Sequence, residues 1–157
     1  MTKPVSVLNE LFHQELIFLD LPYQDLKSAI IFAGEQMTNL GLVEESFAES
    51  VLAREAILPT GLQLGDYGVA IPHTDASHIK QSAVSVLVFK EAIVVNSMID
   101  PSKSISTKLV FLLAVREPDG QIEVLKELMN LFKDVEVLRV IEQSKDANKV
   151  LTLINKK

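Results

Sequence analysis

Gly68-Val69-Ala70-Ile71-Pro72-His73 is a short apolar run that delivers a histidine through a proline into the polar segment Thr74-Asp75-Ala76-Ser77-His78. Residues 69–71 are too few for a helix and are bounded by Gly65, Gly68 and Pro72, so they read as a buried strand or the end of one. Pro72 has no N–H and pushes Ile71 into an extended conformation, which predicts that regular pairing stops there. His73 is therefore expected just past a strand end, where open α/β folds place their sites. A histidine in that position either packs under a loop or is presented for chemistry, and imidazole chemistry needs partners from elsewhere in the chain.

The composition narrows what those partners can be. A chain of 157 residues, 48% of them hydrophobic, can bury a sound core and reads as one domain over 1–157. A net charge of −6 opposes a nucleic-acid or anionic-membrane surface, and the one basic run is Lys156-Lys157. Cysteine is absent, which removes disulfides, thiolate nucleophiles and Cys-based metal sites and suits a reducing compartment. No apolar stretch approaches the roughly 18 to 20 residues of a membrane span, and no leader-like apolar region opens the sequence. A soluble, cytoplasmic protein without membrane insertion is expected.

Outward from His73 the chain alternates strand and helix signals. Residues 16–19 read as a first strand, with Asp20 and Pro22 starting a helix over 23–39 that Gly41 ends. A second helix is expected over 44–56, opening on Glu44 and Glu45, with Phe47, Val51 and Leu58 as its apolar stripe. Residues 83–89, 93–95 and 109–115 are rich in β-branched and apolar side chains and predict three strands. A helix over 121–132 presents Ile122, Leu125, Leu128, Met129 and Phe132 on one face, and shorter helices follow over 135–142 and 146–154. The order is mixed α/β, without repeats or low-complexity linkers.

The second helix contains an anomaly. Positions 47, 51, 54 and 58 share a face, so Arg54 lies on the stripe that Phe47 and Val51 bury. A guanidinium there either snorkels outward, pairs with a carboxylate such as Glu55 or Asp75, or is held for an anionic ligand. Other chemistries find no support. Neither GxxxxGK[ST] nor GxGxxG occurs, which opposes direct nucleotide use, and no G-x-S-x-G elbow is present. His73, Asp75 and His78 do not have the spacing of a familiar metal site, so no metal is expected. His78 reads as a surface residue opening the next strand, and His13 has no partner nearby in the sequence.

Taken together, Arg54-Glu55-Ala56-Ile57-Leu58-Pro59-Thr60-Gly61 followed by Gly68-Val69-Ala70-Ile71-Pro72-His73 resembles the active-site region of the fructose/mannitol-type enzyme IIA components of the bacterial phosphoenolpyruvate-dependent sugar phosphotransferase system. The Arg-Glu pair, the threonine five residues after the glutamate and the apolar-Pro-His unit carry the resemblance, and the order of elements extends it over essentially the whole chain. The Arg-Glu-x-x-x-Pro-Thr-Gly form and Thr74 after the histidine look most similar to the galactitol type. The implied fold is a single-domain α/β sandwich with a central mixed β-sheet flanked by helices.

The resemblance also implies roles. His73 matches the histidine that takes a phosphoryl group from the carrier HPr and passes it to a cysteine of a IIB component, which works with a membrane component IIC. No cofactor is implied, because the donor is itself a phosphohistidine. Arg54 is the expected stabiliser of transferring charge, with Glu55 orienting it and Thr60 adding a hydroxyl donor; Thr74, by its adjacency to His73, is expected to add another. Mannitol-type members carry a second histidine where this sequence has Gln121, which can donate a hydrogen bond but cannot titrate. The resemblance implies an apolar collar for both partners, for which Leu62, Leu64, Tyr67 and Ile79 are candidates by sequence proximity, the alternative being that they are ordinary core residues; the negative net charge would help steer a basic-faced carrier. A nitrogen-type regulatory protein of the same fold, whose phosphorylation state controls a partner, needs the same His73 and remains the alternative.

Overall fold

The apolar runs of the second half of the chain form the two longest strands, and the rest of the fold is arranged around them. The computed structural model describes residues 10–155, except for the side chains of 118–121. Strands β4 (Ala83–Asn96) and β5 (Ser104–Ala114) pair antiparallel, with Ala83 opposite Ala114 and Asn96 opposite Ser104. β1 (Phe12–Leu21) runs parallel to β4 on one side. On the other side the hairpin of β2 (Gly61–Leu64) and β3 (Tyr67–Ala70) adds β3 parallel to β5, giving the order β1-β4-β5-β3-β2. The sheet is mixed, as the resemblance implies, and has five strands.

Helices cover both faces, which is why the central strands lack polar alternation. On one face α1 (Leu26–Asn39) and α2 (Phe47–Ile57) pack Ile30, Met37, Phe47 and Val51 against Leu87, Phe89, Val110 and Leu112. On the other, α3 (Pro118–Phe132), α4 (Val135–Gln143) and α5 (Ala147–Asn155) pack Leu128, Phe132, Leu138, Ile141 and Val150 against Val84, Val86, Val69 and Phe111. Period-two alternation thus divides β4 and β5 between two apolar cores. Ser85, fully buried in this setting, is satisfied because its Oγ donates to the Leu16 carbonyl at 2.7 Å.

Several boundaries differ from those the sequence predicts, each for a local reason. The segments 83–89 and 93–95 belong to one strand, interrupted by a register shift between Val88 and Ile93 where Lys90 and Glu91 are exposed. α1 begins at Leu26 because Asp25 caps it, accepting the Ser28 N–H at 2.8 Å. α2 begins at Phe47 rather than at Glu44, since Val43 bridges to Ile79 and the Glu44 N–H donates to the His78 carbonyl. β2 was not anticipated; it turns back into β3 through Gly65-Asp66, with Gly65 at φ 65°. The apolar face of α3 is split: Val124, Leu128, Leu131 and Phe132 are buried, whereas Ile122 and Met129 are exposed. Leu58 lies past the end of α2 and is also exposed, so the buried stripe of that helix stops short of it.

Past Ala70 the chain still follows β5, because the Leu113 N–H donates to the Pro72 carbonyl at 2.9 Å. His73 therefore emerges beside the C-terminal end of β5, on the sheet edge from which β4 starts and α3 follows. A short 3₁₀ turn, Ala76–His78, leads from it to β4. Among the described residues no helix is long and apolar enough to cross a membrane.

Close backbone approach holds β3 in place. A Cβ at Gly68 would lie 2.2 Å from the Ser106 carbonyl oxygen and 2.8 Å from Ile105 Cγ2, and the same glycine's carbonyl accepts the Thr107 hydroxyl at 2.7 Å. Gly68→Ala is expected to cost about 3 kcal/mol by overpacking against backbone that cannot yield. That loss lowers the thermal midpoint by about 6–12 °C, measurable by calorimetry.

Candidate active site

His73 is half-buried, and its Nδ1 lies 2.8 Å from the carbonyl oxygen of Ile71. A carbonyl only accepts, so Nδ1 carries the proton and the lone pair of the neutral ring is on Nε2. Burial pushes the His73 pKa below the ordinary imidazole value; the bond to Ile71 opposes this, and the positive charge of Arg54 lowers it further. The imidazole is thereby kept neutral and nucleophilic, with a guanidinium close enough to affect its titration.

Arg54 stands where the apolar stripe of α2 runs out. Phe47 and Val51 are fully buried, and one turn later the arginine side chain is partly covered. Its Nε is buried and has no hydrogen-bond partner among the described residues. Nor, among those residues, does any carboxylate lie within ion-pairing distance of it. Leaving a buried donor unsatisfied costs about 1–3 kcal/mol, so the arginine is poised for an anion that the described residues do not provide.

Glu55, the next residue, is not the partner of Arg54 that the sequence suggests. Its Oε2 accepts the Thr60 N–H and its Oε1 accepts the Thr60 hydroxyl, both at 2.9 Å. Burial raises the Glu55 pKa, and these two bonds partly offset that rise. Thr60 is likewise committed. Its single hydroxyl proton goes to Glu55, while Oγ1 accepts the Ile71 N–H at 3.2 Å, leaving no proton for a ligand. Thr74 is buried with its hydroxyl hydrogen-bonded to that of Ser50, so it turns into the protein rather than outward.

The structure thus brings His73, Arg54, Glu55, Thr60 and Thr74 into one region, but with different duties from those expected for the last three. The carbonyl or polar partner expected for the second ring nitrogen, which the sequence could not assign, is the Ile71 carbonyl, and Ser50 was missed. Ser50 was legible in principle, since it precedes Arg54 by four residues and so shares its helix face. Gln121 falls in the first turn of α3, and its side chain lies outside the described residues. His78 occupies the 3₁₀ turn instead of opening β4, with Nδ1 2.8 Å from Ser46 Oγ; His13 is on β1, in the edge position of the sheet. Among the described residues no group of three or more His, Asp or Glu side chains is placed to hold a metal ion.

The expected collar is also corrected. Leu62 and Tyr67 are buried and Leu64 is partly covered in the core on the α4 side of the β2–β3 hairpin, where the Tyr67 hydroxyl donates to the Leu138 carbonyl, and Ile79 is buried in the opposite core, bridged to Val43. Among the exposed apolar side chains are Ile57 and Leu58 at the end of α2, and Met98 and Ile99 at the β4–β5 turn. The β4–β5 turn is tied to the segment that follows α2, since the Met98 N–H donates to the Gly61 carbonyl at 2.8 Å.

Comparison with known proteins identifies the family. Residues 10–157 match the family described as "Phosphoenolpyruvate-dependent sugar phosphotransferase system, EIIA 2". The galactitol-specific EIIA component of Escherichia coli strain K12 is 27% identical over 127 residues, spanning 77% of this chain and 80% of that one. Among solved structures, a chain of the complex of enzyme IIA mannitol and phosphorylated enzyme IIB mannitol from Escherichia coli superposes with a TM-score of 0.78 at 26% identity, over 94% of this chain and 100% of that one. The nitrogen regulatory protein IIA-Ntr of Neisseria meningitidis shares the fold, with a TM-score of 0.73 at 22% identity over 95% and 99% of the two chains. With its five-stranded mixed sheet, its strand-end histidine and a family match that spans nearly its whole length, the chain belongs to the EIIA type-2 family of phosphoryl carriers of the sugar phosphotransferase system.

Proposed function

We propose that His73 is the phosphoryl carrier, accepting the group from phospho-HPr and passing it to a cysteine of a IIB component. The observation that carries this reading is the pairing of a ring whose Nδ1 is bonded to Ile71 with an arginine whose buried Nε has no partner among the described residues. Nε2 attacks phosphorus as the P–N bond to the donor histidine breaks, and the donor ring leaves with that electron pair. In the second step a IIB thiolate attacks, the bond to Nε2 breaks, and His73 returns to its neutral form. Both transition states are loose and spread charge over equatorial oxygens, so alignment and cationic stabilisation supply most of the catalysis. Arg54 gives the cation, and its orphaned donor gains an acceptor when the phosphoryl group arrives.

IIB in turn serves a membrane component IIC, and the transported solute is galactitol or a related polyol, on the strength of the likeness to the galactitol-specific component. Both partners dock on the apolar surface formed by Ile57, Leu58, Met98 and Ile99. An interface of this kind is modest and transient, as successive exchange with two proteins requires. Cytoplasmic location follows from the same partners.

Incubation with phosphoenolpyruvate, enzyme I and HPr is expected to place an acid-labile, base-stable phosphate on His73, and His73→Ala abolishes it. Label that persists in this variant places the acceptor elsewhere. Arg54→Ala slows single-turnover transfer by about 100-fold, whereas a near-normal rate assigns the arginine to structure alone. Discharge of labelled protein into a galactitol-type IIB is expected; discharge into no IIB at all favours the regulatory role instead.

The titration of His73 gives an independent check. Its pKa is depressed, so the neutral nucleophile persists to more acidic pH than in a free imidazole, and the acid limb of transfer falls below the ordinary value of about 6.5. Because both burial and Arg54 disfavour the imidazolium, Arg54→Ala moves the His73 pKa upward in an NMR titration. For the docking surface, Leu58→Asp and Ile99→Asp are expected to raise KM for phospho-HPr by about tenfold with little change in kcat.

A further inference from the structure

We infer that Glu55 and Thr60 are positioning residues for His73, forming a carboxylate-anchored chain of hydrogen bonds that acts through the Ile71 backbone to hold the imidazole in its Nδ1–H form. The inference rests on the reading of His73 as the phosphoryl carrier, since only then does the choice of ring nitrogen matter to function.

The chain begins with a structural requirement. Ile71 lies one residue beyond the end of β3 and is only 2% exposed, so its N–H is outside the strand ladder and largely screened from water. The Thr60 hydroxyl oxygen takes that N–H at 3.2 Å. A hydroxyl has one proton, and here it goes to the far side: Glu55 Oε1 accepts the hydroxyl proton and Oε2 accepts the Thr60 N–H, both at 2.9 Å. A lone pair of Oγ1 is thereby left facing Ile71. At the other end of the chain the Ile71 carbonyl accepts from His73 Nδ1 at 2.8 Å.

The N–H and C=O of Ile71 flank the same Cα, so fixing the first constrains the dihedral angles that aim the second. Pro72 reinforces this by restricting Ile71 to extended backbone and by adding no competing N–H. Both Glu55 oxygens are occupied by Thr60, which leaves the carboxylate engaged with the histidine support rather than with Arg54. Support of this sort behind a reactive imidazole typically matters by about 10–100-fold in metal centres, where ligand histidines are held in the same way.

The test uses uniformly ¹⁵N-labelled, unphosphorylated protein, in which long-range ¹H–¹⁵N spectra report the tautomer of His73, together with single-turnover transfer from phospho-HPr. Wild type and Thr60→Ser are expected to show a protonated Nδ1 and a free Nε2. Thr60→Val, which removes the hydroxyl at nearly constant shape, and Glu55→Gln, which cannot accept from both Thr60 groups, shift His73 toward a tautomer mixture. In both, the transfer rate falls about tenfold or more while the affinity for phospho-HPr is unchanged. An Nε2–H ring in the wild-type protein overturns the inference outright, whether or not any variant folds. So does a retained Nδ1–H in both Glu55→Gln and Thr60→Val, or a rate lost equally in Thr60→Ser. A wild-type ring locked as described that accepts no phosphate leaves the chain of hydrogen bonds standing and removes the carrier role instead.

Discussion

The antiparallel pairing of β4 with β5, buried on both faces, is the constraint from which the other elements take their positions. A strand with helices on both sides must be apolar on both sides, and Val84 to Phe89 and Leu109 to Ala114 meet that condition nearly without exception. Such a pair leaves β5 free to take a parallel neighbour, β3, and the shared direction carries residues 71–73 to the end of the sheet where β5 finishes and α3 begins. The bend after Val88 then brings the hairpin tip round to Gly61, beside the loop that holds Thr60.

Much of this was legible in the chain. The apolar runs of the second half lie in strands and the last three helices lie close to where they were read, because each depends on a pattern within a few residues. What was hidden depended on contacts distant in sequence. β2 is four residues long and is defined by pairing with β3 rather than by its own composition. The start of α2 is set by the bridge of Val43 to Ile79, and the continuity of β4 through Lys90 and Glu91 is set by β5. Tyr67 and Ile79 looked available as surface residues only because the helices that cover them could not be placed from sequence.

The site shows the same division. Arg54 was conspicuous because it contradicts its own helix stripe, and a local preference that conflicts with the global fold often marks function. His73 was conspicuous for a similar reason, as a polar group delivered by an apolar strand. The duties of Glu55, Thr60 and Thr74 could not be read, since proximity in a motif says nothing of which lone pair faces which proton. Their hydrogen bonds point inward: Glu55 and Thr60 spend their polarity on each other and on the Ile71 backbone, and Thr74 bonds the Ser50 hydroxyl.

The half-burial of His73 has a consequence for how other proteins sense its state. A phosphoryl group adds about two negative charges, a modest change on a chain that already carries −6. At physiological ionic strength that change is screened beyond about 8 Å, so most of the molecular surface is electrostatically the same in both forms. Any protein that tells the two forms apart has to read the few ångströms around the ring. Donor, acceptor and any regulator are thereby confined to one patch, and competition among them is built into the geometry.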